Sequence, residues 1–132
     1  MAGDVPEHLK QQASREEGCR VSFLGIVPPD TGPALTREMN MLCSADLNAA
    51  CSNSVVESLA CGLPVIAFDT GALKEMVPDA AGAVVPYGSN YWELEKPDIR
   101  ALADAARRIF NENTHYRSGA RQAARRPIAG TR

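Results

Sequence analysis

The sequence is poor in the residues that build metal and nucleophile sites. It has two histidines, His8 and His115, and four cysteines, Cys19, Cys43, Cys51 and Cys61. None of the cysteines forms a C-x-x-C pair, and the spacing is too open for a zinc ligand set. No metal is expected, and the thiols read as reduced. The phosphate-cradling signatures G-x-G-x-x-G and G-x-x-x-x-G-K-S/T are absent, which argues against an ordinary dinucleotide fold and against a P-loop. There is no G-x-S-x-G elbow, and neither histidine lies near a nucleophile signature, so a hydrolase triad is disfavoured. No apolar run is long enough to cross a bilayer, and the start lacks the basic-then-apolar layout of a secretory signal. A cytoplasmic protein is expected. Internal repeats and low-complexity segments are also missing.

What remains is the composition of a soluble globular chain. Its 132 residues are 45% hydrophobic and 23% charged, enough for one compact domain with a core. The net charge of −2 hides an asymmetry. Residues 1–99 carry 6 Lys+Arg against 14 Asp+Glu, whereas residues 100–132 carry 8 Arg against 2 acids. A basic segment can meet nucleic acid or anionic lipid. Here the arginines alternate with alanine in ALADAARRIF and RQAARR, as on the wet faces of helices, and no aromatic platform accompanies them. No nucleic-acid partner is expected.

Element types alternate along the chain. Residues 6–17 favour helix, with weak apolar spacing at Val5, Leu9 and Ala13. RVSFLGIV is a short β-rich run closed by the turn signal PPDTGP. Leu35, Met39 and Leu42 fall at i, i+4 and i+7 and predict a second helix ending near Ala45 and Asp46. Residues 46–50 then form a stub that could start a strand. SVVESLAC is a short helix stopped by Gly62 and Pro64. VIAF is a continuous apolar run typical of a parallel strand buried on both faces. Asp69, Thr70 and Gly71 turn the chain into the brief helix ALKEMV, and AGAVVPYG is a further strand and turn. Ile99, Leu102, Ala103, Ala106, Ile109 and Phe110 form the best amphipathic stripe, and a final helix is expected over 115–125. The sum is an α/β layer with a mostly parallel, Rossmann-like sheet and flanking helices. Ligands in such folds sit at the carboxyl ends of strands, which selects two turns, 50–57 and 68–75.

The first turn holds Ser52, Asn53 and Ser54, all good N-cap residues, ahead of amides with no partner inside the helix. Such an end attracts phosphate. Ser54 and Glu57 also fit a capping box, in which Glu57 bonds back to the Ser54 amide and binds nothing else. The second turn uses Gly71, which lets backbone approach a ligand or simply turn tightly.

Together the turns carry a resemblance. NSVVESLACGLPVIAFDTGALKEMV resembles the nucleotide-sugar-binding, C-terminal domain of retaining GT-B glycosyltransferases, the group 1 glycosyl transferase family. The features run in order: Glu57 in a short helix, ACGLPVIA, the turn at Asp69, Thr70 and Gly71, then Glu75 and a G-x-x-V-P strand at 82–86. A looser likeness extends over residues 2–124. It implies a partial donor-binding domain at 1–124, half of a GT-B fold, followed by a loose basic tail at 125–132. It also implies that Glu57 holds the donor ribose and that the backbone of Asn53, Ser54, Val55 and Val56 lies against the diphosphate. Thr70, Gly71 and Ala72 would line the pocket near the sugar. The donor would be a UDP-, GDP- or ADP-linked sugar, transferred with retention of configuration and without a metal or other cofactor. In the full enzyme the acceptor could lie at a membrane periphery.

Two departures qualify the resemblance. The family has a second acid eight positions before Glu57, where this chain has Ala49; Asp46 is the nearest upstream acid. Residues 46–51 also look too few for the expected buried strand and loop. The resemblance places the N-terminal acceptor domain, the first strand and the diphosphate-binding Arg and Lys before Met1. Arg20 and Lys74 are the only replacements in sight, and each reads first as a solvated charge. No residue is assigned as catalytic, and the isolated chain is expected to turn over little. The alternative is a non-catalytic assembly or interaction domain derived from such an enzyme. A standalone nucleotide-binding module would leave a sheet edge exposed.

Overall fold

The computed structural model describes residues 4–16, 18, 20–47 and 50–125. The chain divides into two units, Met1–Ala34 and Leu35–Arg132. Cys19, Ala49, Glu17 and the 126–132 part of the expected tail lie outside the described residues.

In the first unit, α1 spans Glu7–Arg15 and buries no residue, in keeping with its weak apolar spacing. RVSFLGIV forms no strand; only Gly25 makes an isolated bridge. A strand needs a neighbour for its amides and carbonyls. This unit has no strand among its described residues, and Leu24 and Ile26 stay exposed. The PPDTGP turn forms as expected, with the amides of Thr31 and Gly32 both donating to Pro28 O. From it starts α2, Gly32–Glu38, which crosses into the second unit.

The second unit holds a three-stranded parallel sheet in the order β1 (Leu42–Ser44), β2 (Val65–Phe68), β3 (Gly82–Val85). Cys43 pairs with Ile66, and Ile66 with Ala83. Around it lie α3 (Asn53–Ala60), the single turn α4 (Leu73–Met76), α5 (Ile99–Asn111) and α6 (Asn113–Ala124). The α/β class is the expected one. One boundary is corrected: α2 stops at Glu38, and Leu42 belongs to β1 rather than to that helix. The strand therefore lies before Asp46, and the supposed shortening at 46–51 omits no strand. Residues 45–47 lead out of β1, and residues 50–52 lead into α3.

β2 is central and buried along its whole length, because it pairs on both edges and is covered on both faces. Its side chains alternate between two layers. Val65 and Ala67 pack with Val55 and Leu59 of α3, Leu73 of α4 and Ala120 of α6. Ile66 packs with Ala105 and Ile109 of α5 and with Tyr116 of α6. The α5 stripe is only partly buried, since Ile99 and Phe110 are 54% and 60% exposed. A four-residue strand is about 13 Å long and a 13-residue helix about 20 Å, so the helix ends overhang the sheet. Gly119 lets α6 close on the turn Asp79–Ala81: a Cβ there would stand 1.8 Å from Ala80 O.

Candidate functional site

β1 and β2 are adjacent and parallel, so their exit turns emerge side by side at the carboxyl edge of the sheet. The first leads into α3, the second into α4. Ser52, buried, is the N-cap of α3, and its carbonyl accepts from the amides of Val55 and Val56, both at 3.1 Å. The amides of Asn53 and Ser54 have no partner among the described residues. This corrects the capping-box reading. The cap is Ser52, not Ser54, and no side chain caps the helix. Glu57 is exposed, and its carboxylate has no hydrogen bond or ion pair among the described residues. Its oxygens do not have to choose between a cap and a ligand.

Asp46 ties the two turns together. Its Oδ2 accepts from Ser52 Oγ at 2.7 Å, and its backbone carbonyl accepts from Thr70 Oγ1 at 2.8 Å. The Asp46 amide reaches Ser44 Oγ at 3.4 Å, and the hydroxyls of Ser52 and Ser54 lie 3.0 Å apart. Thr70 is 1% exposed, so its hydroxyl has little choice but this bond. Past it, Gly71 takes φ +55 and Ala72 caps α4, half-buried. Thus Asn53, Ser54, Val56, Glu57 and Gly71 present an exposed rim, while Val55 is wholly core and contributes only backbone.

The clamp was not visible in the sequence, where Asp46 and Thr70 stand 24 positions apart and Ser52 looked like one of three equivalent caps. A second brace was also missed: Phe68, closing β2, meets Tyr87 edge-on at 5.3 Å, and Tyr87 donates to Glu95 O at 2.6 Å. Lys74 is paired with Asp69 at 3.5 Å on an exposed surface, a contact of little energetic weight. Cys43 lies on β1, and burial pushes its thiol up from the usual value, which disfavours a thiolate nucleophile. Among the described residues no three His, Cys, Asp or Glu side chains gather as metal ligands would, and no helix is long and apolar enough to cross a membrane.

A profile of the family described as Glycosyl transferases group 1 matches residues 1–112. The 2-deoxystreptamine glucosyltransferase of Streptomyces kanamyceticus is 27% identical over 109 residues, which are 80% of this chain and 28% of that protein. The D-inositol 3-phosphate glycosyltransferase of Salinispora tropica is 35% identical over 94 residues, 69% of this chain and 19% of that one. The chain thus spans less than a third of the length of these relatives. Among solved structures, Anabaena HepE in complex with UDP and glucose superposes with a TM-score of 0.71 at 22% identity, over 93% of this chain and 33% of that one. The parallel sheet with its flanking helices is that of a GT-B glycosyltransferase domain.

Proposed function

The chain belongs to the group 1 glycosyl transferase family, and from that membership and the carboxyl-edge geometry we propose that it is the donor-binding part of a retaining transferase. The carrying observation is the pairing of two amides, Asn53 and Ser54, with the Glu57 carboxylate one helical turn further on, all three without a partner among the described residues. The relatives named above are glycosyltransferases, and HepE holds UDP and glucose. In this reading the free amides and the positive end of α3 face the diphosphate. Glu57 accepts hydrogen bonds from the ribose hydroxyls, and Thr70, Gly71 and Ala72 lie near the sugar.

The chemistry follows from the charges. Breaking the bond between the anomeric carbon and the phosphate oxygen leaves negative charge on the nucleoside diphosphate. Fixed N–H groups stabilise that charge with no reorganisation. The donor is a sugar linked to UDP, GDP or ADP, and the reaction needs no metal in this scheme. In this reading the acceptor site and the bases that neutralise the diphosphate are not among the described residues, and the chain spans less than a third of its relatives' length. The chain alone therefore gives little or no transfer.

The test is calorimetric titration of UDP, GDP and ADP into the wild-type chain and into Glu57→Gln. One nucleotide binding saturably, about tenfold more weakly after losing a charge-assisted bond, supports the reading. Equal affinity in both proteins overturns the role of Glu57. Retention is read from the anomeric proton coupling of sugar transferred by the complete enzyme; an inverted coupling rejects it. A second reading, a non-catalytic assembly domain, draws on one observation. Lys74, the base nearest the second turn, is occupied by Asp69. It predicts no nucleotide binding in either protein.

A further inference from the structure

Three of the arginines that make the end of the chain basic converge on one place. Arg117 and Arg121 of α6 and Arg125 at its carboxyl end follow at four-residue spacing, which stacks them on one helix face. With Arg37, near the end of α2, they line a cavity of about 490 Å³ floored by Ala60 and Cys61. No Asp or Glu lines it, and the ion pairs among the described residues all lie elsewhere, at Glu7–Lys10, Asp69–Lys74 and Asp104–Arg107.

Four like charges around one hollow repel, so an anion seated among them is favoured. The floor is the carboxyl end of α3, whose dipole supplies about half a negative charge. That offsets only a fraction of four positive ones. One of the guanidinium groups is also fixed in place. Arg117 donates through Nη2 to the carbonyls of Arg37 and Met39 and through Nε to Asn113 Oδ1 at 3.0 Å. Arg121 lies over Gly62, where a Cβ would stand 2.7 Å from its Cγ. Arg37 and Arg125 have side chains with no partner among the described residues, and both are exposed.

We propose that this cavity binds a phosphate-bearing anion. Planar guanidinium forks match the oxygens of phosphate in two-pronged hydrogen bonds, and a concave wall of one sign concentrates such anions. The cavity lies at the carboxyl end of α3, one helix length of about 12 Å from Asn53, so it is separate from the nucleotide site proposed above. The phosphate belongs either to a free phosphorylated molecule or to a lipid headgroup.

Amide NMR of the full chain, titrated with inorganic phosphate at low ionic strength, tests this. Saturable shifts confined to residues 37, 60–61 and 117–125 are expected, about tenfold weaker in Arg37→Gln/Arg125→Gln. Both arginines are exposed, and Arg125→Gln alone serves as a second, milder variant. Vesicles containing phosphatidic acid form the other arm. Retention on them without a response to free phosphate, and lost in the double variant, assigns the phosphate to a lipid. Failure in both arms overturns the proposal. So does affinity unchanged in the variants, retention on RNA without a response to either probe, or unsaturable shifts spread equally over Arg100, Arg107 and Arg108. Shifts at Asn53 and Ser54 report on the other site, so the two readings fail separately.

Discussion

Replacing Glu57 with Gln should leave folding stability within about 0.5 kcal/mol of wild type, because the carboxylate is exposed and bonds to nothing described. Had the capping box formed, the same residue would have contributed roughly 1 kcal/mol. Urea unfolding separates the two. Ser52→Ala should behave in the opposite way. It removes the bond to Asp46 Oδ2 and should cost about 1 kcal/mol, seen as a lower midpoint at an unchanged slope. At this scale the sequence located the helix start and was less informative about what each residue there does. The motif SNSVVE marked a helix start, but three adjacent cap candidates cannot be ranked by residue type alone. The choice was made by Asp46, which reaches Ser52 only because β1 ends where it does.

Elements with a strong apolar pattern were legible, and the three-residue β1 was not. VIAF announced a buried central strand, and the apolar stripe at 99–110 announced α5. β1 has only three residues, too few for an alternating pattern, and the spacing of Leu35, Met39 and Leu42 carried the helix α2 past its true end at Glu38. RVSFLGIV had strand composition, but composition supplies no pairing partner. The overhang of α5 yields a direct check by thermal or urea denaturation. Ile109→Ala should cost about 2–5 kcal/mol from the core, while Phe110→Ser should cost less than about 0.5 kcal/mol. Gly119→Ala should cost about 1–3 kcal/mol, since α6 must back away from Ala80 to admit a methyl group.

For the whole molecule, the parallel sheet places both motif turns on one edge, and this is what joins two weak local signals into one candidate site. Two clusters of opposite sign stand apart: Asp46 and Glu57 belong to the carboxyl edge, the arginine-lined cavity to the far end of α3. The family match and the fold agree on a GT-B glycosyltransferase domain, while the chain covers less than a third of its curated relatives, so binding is the property to measure before turnover. The most direct measurement is amide NMR of the chain titrated with UDP. The account predicts saturable shifts led by Asn53 and Ser54, weakened in Glu57→Gln. Saturable UDP binding that leaves those two amides unmoved would contradict it.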